Sequence, residues 1–164
     1  MENTNNILVA LGFSDYAKDI FNYAAGLALK LEARLIVASV LNSRDVEAVA
    51  TISAMGYEVD EAHYIESVEK ERRKRLNDFI GAGSFPSDRI KTVFKLGHPA
   101  DELLKIIVSE KIDLVVMGTK GRTDLEHILT GSVAEKLFRH SPAPIVFYRD
   151  PKQVEHLKKR IHPD

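Results

Sequence analysis

Five short strand-like runs, separated by stretches with helical periodicity, restrict this chain to a layered α/β fold more tightly than any other feature of its sequence. The first run, Ile7-Leu8-Val9-Ala10-Leu11, is apolar throughout, as a strand buried on both faces must be. Gly12-Phe13-Ser14-Asp15 breaks it. Ser14 or Asp15 is placed to cap a helix whose inner face carries Ile20, Ala24, Leu27, Ala28 and Leu31. Arg34 to Leu41 is a second buried-strand run. Strand, helix and strand in about 35 residues form a βαβ unit, which demands a parallel, right-handed connection.

The next segment, Asn42 to Gly56, mixes charge with Val46, Ala48, Val49 and Ile52, and reads as an insertion, either a loop or a short helix. From about Asp60 to Ile80 the helical period returns, with Ile65, Val68, Leu76 and Phe79 on one stripe. The run Glu69-Lys70-Glu71-Arg72-Arg73-Lys74-Arg75 interleaves acids with bases, which predicts a solvated helix face in preference to a nucleic-acid patch. Ile90 to Leu96 alternates in part, as a strand near the sheet edge would. Pro99 opens a helix with Leu103, Leu104, Ile107 and Val108 as its stripe. Asp113 to Met117 is the fourth strand. Val133, Ala134, Leu137 and Phe138 line another helix, and Ile145-Val146-Phe147-Tyr148 is the fifth strand. Five strands alternating with helices predict a doubly wound, five-stranded parallel sheet with helices on both faces. One domain over residues 1–148 is expected, with a charged tail, 149–164, able to form an amphipathic helix through Val154, Leu157 and Ile161.

Composition excludes several function classes. Twenty-three basic against 24 acidic residues give a formal net charge of -1, so no global field draws the chain to nucleic acid or membrane. The absence of cysteine removes disulfides, thiol catalysis and thiolate metal sites. No apolar run is long enough to span a bilayer, and Met1-Glu2-Asn3-Thr4-Asn5-Asn6 lacks the look of a secretory signal, so a cytoplasmic protein is expected. His63, His98, His127, His140, His156 and His162 are scattered without metal-ligand spacing, and neither catalytic nor metal residues are assigned. P-loop, G-x-G-x-x-G, H-E-x-x-H and G-x-S-x-G motifs are all missing.

One stretch does carry chemistry. The fourth strand runs into Gly118-Thr119-Lys120-Gly121-Arg122, and Gly131-Ser132 opens the following helix. Glycines let a backbone approach a ligand closely, and the N–H groups at a helix start, with the dipole behind them, favour phosphate. Gly118 and Gly121 would form one wall of an anion cradle; Gly131, Ser132 and the amides of Val133 and Ala134 would form the other. In doubly wound sheets such a site lies beyond the carboxyl ends of the strands, where strand order reverses.

The spacing Gly118, two residues, Gly121, nine residues, Gly131-Ser132 resembles the signature of the ATP-binding branch of the universal stress protein family, and the resemblance extends over about Ile7 to Tyr148. It implies strand order 3-2-1-4-5 and a nucleotide, ATP or else ADP or AMP, with Mg²⁺ held by its phosphates. The phosphates would meet Gly118, Gly121, Gly131, Ser132 and Val133. Lys120 and Arg122 would either neutralise phosphate charge or stand as exposed loop charges. Ala10 and Met117, at the ends of the first and fourth strands, belong to the same set. The backbone of Val40, at the end of the second strand, would face adenine. One position departs from the family pattern: where an aspartate contacts the nucleoside, this chain has Gly12. A charged hydrogen bond of that kind contributes about 1–3 kcal/mol, so its loss weakens binding about tenfold or more, or loosens selectivity for adenine.

The leading expectation is therefore an ATP-binding regulatory protein of the stress-response kind with little or no catalysis, whose nucleotide occupancy changes a surface read by a protein partner. The resemblance also implies a homodimer paired through Ile145–Tyr148. A slow ATPase or nucleotide-transferring enzyme is one alternative, with Asp124, Glu126 and His127 following the cradle. A nucleotide-free dimeric adaptor is the other.

Overall fold

The computed structural model of the protein describes residues 3–119 and 131–161. In chain order the elements are β1 (Asn6–Ala10), α1 (Ala17–Lys30), β2 (Arg34–Asn42), α2 (Ser43–Ala54), α3 (Glu61–Ala82), β3 (Ile90–Gly97), α4 (Pro99–Ser109), β4 (Leu114–Gly118), α5 (Ser132–His140), β5 (Ile145–Tyr148) and α6 (Pro151–Lys158). The five strands form one parallel sheet in the order β3-β2-β1-β4-β5, with its topological reversal between β1 and β4.

Alternate residues of the central strands feed two cores, which is why their sequences are apolar without a break. Ile7, Val9, Leu35, Val37 and Val116 pack beneath α1 and α3, joined by Phe21, Leu76 and Phe79. Leu8, Ile36, Ala38, Val115 and Met117 pack beneath α4 and α5, joined by Leu103, Ile107 and Leu137. At the amino edge of the sheet, a single Asp113 oxygen accepts from the main-chain N–H groups of Asn5 and Asn6, at 2.8 and 2.9 Å, and so fastens β1 beside β4.

Asn42 to Gly56 resolves as α2, begun by the Asn42 side chain accepting from the Arg44 N–H at 3.1 Å. Ser14 and Asp15 do not cap α1; its cap position is Tyr16, and only the Ser14 carbonyl takes part, accepting from the Ala17 N–H. The inner faces of α4 and α5 are rotated from the expected stripes. Val108 and Phe138 lie exposed, while Ala100 and Ile106 take the buried places on α4. The tail helix α6 opens with a capping box between Asp150 and Gln153, and it is Gln153 that it buries, with Ile161 left exposed. Among the described residues no helix is long and apolar enough to cross a membrane.

Candidate functional site at the carboxyl edge of the sheet

The strand register brings the ends of the three central strands level. Ala10 lies beside Ala38 on one side and Met117 on the other. Beyond this line β1 stops, while β2 continues to Asn42 paired only with β3. The result is a crevice whose floor is the end of β1, with β2 on one side and the end of β4 with the start of α5 on the other. Gly12 lies in it, exposed, and a methyl group built there would meet none of the described residues beyond its chain neighbours within 4 Å.

On the β4 side, Gly118 ends the strand and Thr119 is buried behind it. The Gly131 N–H donates to the Thr119 carbonyl at 2.7 Å, so the start of α5 is tied to the end of β4. Gly131 is the cap residue of α5, and among the described residues no side chain caps that helix. Its first N–H groups, those of Ser132, Val133 and Ala134, start at the crevice, and a helix start of this kind is where a backbone anion site can be made. Ser132 is exposed and Val133 half-buried. Lys120, Gly121 and Arg122 lie outside the described residues, as do Asp124, Glu126 and His127.

Behind this segment the tail helix takes hold of Thr119. The Gln153 amide nitrogen donates to the Thr119 hydroxyl at 2.9 Å, and the hydroxyl donates back to Gln153 Oε1 at 3.1 Å. Both residues are buried, and Gln153 also receives the Asp150 N–H in the capping box. Thr119 therefore joins β4, α5 and α6 at one point.

On the β2 side the charge run on α3 is solvated as expected at Lys70, Glu71, Arg73 and Lys74, and departs from that expectation at Arg72 and Arg75. Arg72 is only 6% exposed. Its Nη1 donates to the Ser39 hydroxyl at 2.8 Å and to the Val40 carbonyl at 3.1 Å. Arg75 reaches the β1–α1 turn, donating to the Phe13 and Ser14 carbonyls at 2.8 and 3.3 Å. Phe13 holds a left-handed backbone (φ 55°) that a bulky residue seldom adopts. The surroundings fix it there: its ring stacks on Phe79 with centroids 6.3 Å apart, and the Arg72 and Arg75 guanidiniums lie 5.8 and 5.3 Å from its centroid. These three residues escaped sequence reasoning. A signal was present, because Arg72 fills the gap in the stripe Ile65, Val68, Leu76, Phe79 at helical spacing.

The register thus gathers Ala10, Gly12, Val40, Met117, Gly118, Gly131, Ser132 and Val133 along one edge of the sheet. No cluster of histidine and carboxylate groups able to hold a metal occurs among the described residues. A parallel sheet reversing at β1/β4, with the start of α5 beyond its carboxyl edge, defines a doubly wound α/β protein. Residues 3–149 match the universal stress protein family, and the chain belongs to that family. It is 31% identical over 147 residues to a protein of Staphylococcus aureus strain USA300 named among the universal stress proteins, a match spanning 88% of this chain and 83% of the relative. Its fold is similar to that of universal stress protein UspA from Lactobacillus plantarum (TM-score 0.66, 23% identity, 91% of this chain and 100% of that one). It is also similar to the universal stress protein from Archaeoglobus fulgidus in complex with dAMP (TM-score 0.60, 15% identity, 90% and 100%).

Proposed function

We propose that this protein binds an adenine nucleotide across the carboxyl edge of its sheet, with ATP as the physiological ligand and Mg²⁺ carried on its phosphates. The observation that supports this most is the tie between Gly131 and Thr119, which sets the start of α5 against the end of β4. Backbone N–H groups there would receive phosphate oxygens, with Ser132 adding a hydroxyl donor. Lys120, Gly121 and Arg122 would complete the phosphate side, and Ala10, Gly12, Val40 and Met117 the nucleoside side. The dAMP complex of the Archaeoglobus fulgidus neighbour supports adenine as the base.

Occupancy would act as a regulatory signal in the cytoplasm, altering a surface read by a protein partner, with little or no hydrolysis. Homodimers would form through β5, whose pairing to β4 leaves its other side as a sheet edge. The test is to denature freshly purified protein and identify released nucleotide by mass spectrometry, then titrate Mg²⁺-ATP against melting temperature. Stoichiometric ATP or ADP, or a rise in melting temperature at about millimolar ATP, is the expected result. Gly12, in the place of the family's aspartate, favours a second reading, the nucleotide-free adaptor. An empty protein whose melting temperature ignores ATP would establish that reading instead.

A further inference from the structure

We infer that Gln153, on the tail helix, is a positioning residue for the phosphate side of the crevice, so that nucleotide binding and the docking of α6 strengthen each other. The inference rests on the nucleotide reading above and concerns the same site. It begins at Thr119, the residue after β4, which is 4% exposed. The backbone of Thr119 serves one element and its side chain another. Its carbonyl accepts from the Gly131 N–H at 2.7 Å, and the Gly131 carbonyl in turn accepts the first hydrogen bond of α5, from the Glu135 N–H at 3.0 Å. Its hydroxyl accepts from the Gln153 amide nitrogen at 2.9 Å and donates to Gln153 Oε1 at 3.1 Å. Side chain and carbonyl move together when the Thr119 backbone turns. The start of α5 is therefore fixed in part from α6.

The tail helix is sensitive to this one contact. It has eight residues, too few to hold a helix by itself, and Gln153 is its buried residue. Val154 and Leu157 are half-buried, and the rest of the helix is exposed. The amide is aimed by the helix's own start: the Asp150 N–H donates to Gln153 Oε1 at 3.3 Å, and Asp150 Oδ1 accepts from the Gln153 N–H at 2.9 Å. A helix held by packing alone would bury an aliphatic residue at this place. A buried amide instead ties docking to one partner in one geometry. The tether is short as well. Gly118 lies beside Tyr148, and Arg149 is all that separates Tyr148 from the Asp150 cap, so α6 stays near Thr119 whether or not it is docked. The helix also lies beyond residues 3–149, the part that matches the family, so the tie is an addition to the shared domain. Coupling of this kind is reciprocal: whatever the docking of α6 adds to nucleotide affinity, the nucleotide adds to the docking of α6. The tail thereby becomes a surface that changes with occupancy.

The test is calorimetric titration of the full chain with Mg²⁺-ATP, well below the melting temperature, in the natural protein and in Gln153→Ala, Thr119→Val and Thr119→Ser, each checked for folding by circular dichroism. Gln153→Ala and Thr119→Val should each weaken ATP about fivefold or more. The double variant should be no weaker than either single one, because both changes remove the same contact. Thr119→Ser keeps the hydroxyl and should recover the affinity lost in Thr119→Val, to within about twofold of the natural protein. Amide hydrogen exchange gives a reading that needs no variant: saturating Mg²⁺-ATP should slow exchange across α6 of the natural protein by about the same factor that Gln153→Ala loses in affinity. Natural affinity in a folded Gln153→Ala or Thr119→Val, losses that simply add in the double variant, or α6 exchange indifferent to bound ATP overturns the inference and leaves nucleotide binding standing. Failure of the natural protein to bind ATP at all overturns the nucleotide reading, and this inference with it.

Discussion

The main-chain N–H of Gly131 donates to the carbonyl of Thr119 across 2.7 Å, and Gly131 does so in an ordinary backbone conformation (φ −72°, ψ 156°). Any residue can adopt those angles, so a glycine there is not required by the turn. On the nucleotide reading, the missing side chain would let a phosphate approach the start of α5 closely.

That separation gives the first prediction. Gly131→Val should leave the fold intact, since neither the backbone angles nor the tie to Thr119 is disturbed. It should weaken Mg²⁺-ATP by about tenfold or more, because a branched side chain would stand where a phosphate oxygen meets the helix N–H groups. Calorimetry decides it, and unchanged affinity would remove the cradle assignment.

Gln153→Ala separates the tail from Thr119. The substitution strips the Thr119 hydroxyl of a partner in a buried place and removes one half of the α6 capping box. Such losses cost about 1–3 kcal/mol for the buried hydroxyl and about 1 kcal/mol for the cap. For a chain of this size each kcal/mol lowers the melting temperature by about 2–4 °C. Thermal denaturation should therefore show a clear drop, and a melting temperature equal to that of the natural protein would mean that α6 does not hold Thr119 in solution.

Gly12→Asp tests the nucleoside side. Apart from its chain neighbours, no described residue lies within 4 Å of where its Cβ would sit, so the carboxylate should enter at a stability cost within about 0.5 kcal/mol. Restoring an acceptor for ribose or adenine donors should tighten ATP about tenfold. A variant that is equally stable but binds ATP no better would show that Gly12 is not what limits the site.

The strands were legible because burial on both faces leaves an unbroken apolar run. Ile145–Tyr148 falls on β5 without change, and Ile7–Leu11 differs from β1 by one residue at each end. The second helix was hard to read for the opposite reason: of α2 only Val46 is buried, so its period was faint. Its start is set by the Asn42 side chain, which caps the Arg44 N–H. Site positions at strand ends were implied by the family resemblance, and the α/β architecture places them at one edge. Arg72 was not, because its partners Ser39 and Val40 lie more than 30 residues away on another element. A charge that fits a hydrophobic stripe announces burial, but not which carbonyl it will meet.

The last prediction concerns Tyr148, which ends β5 beside Gly118 and packs its ring against Tyr23 with centroids 5.6 Å apart. Burial pushes its hydroxyl above the ordinary tyrosine value of 10.0, and the nearby charges of Asp19 and Asp150 push it the same way. The folded chain therefore holds this proton more tightly than the unfolded chain does. The sign follows by linkage: the associated stability is fully present below about pH 10 and is lost as pH rises from there through the folded value. Tyr148→Phe removes the titrating group while keeping the ring contact. The gap in stability between natural protein and variant, followed by denaturant unfolding, should stay level from about pH 7 to about pH 9 and then move against the natural protein. In the natural protein the ionisation of Tyr148 should also appear as a late step in ultraviolet absorbance, and that step should be missing from the variant. A gap that stays level through the alkaline range, with the late step retained in the variant, would mean that the end of β5 is not packed as described.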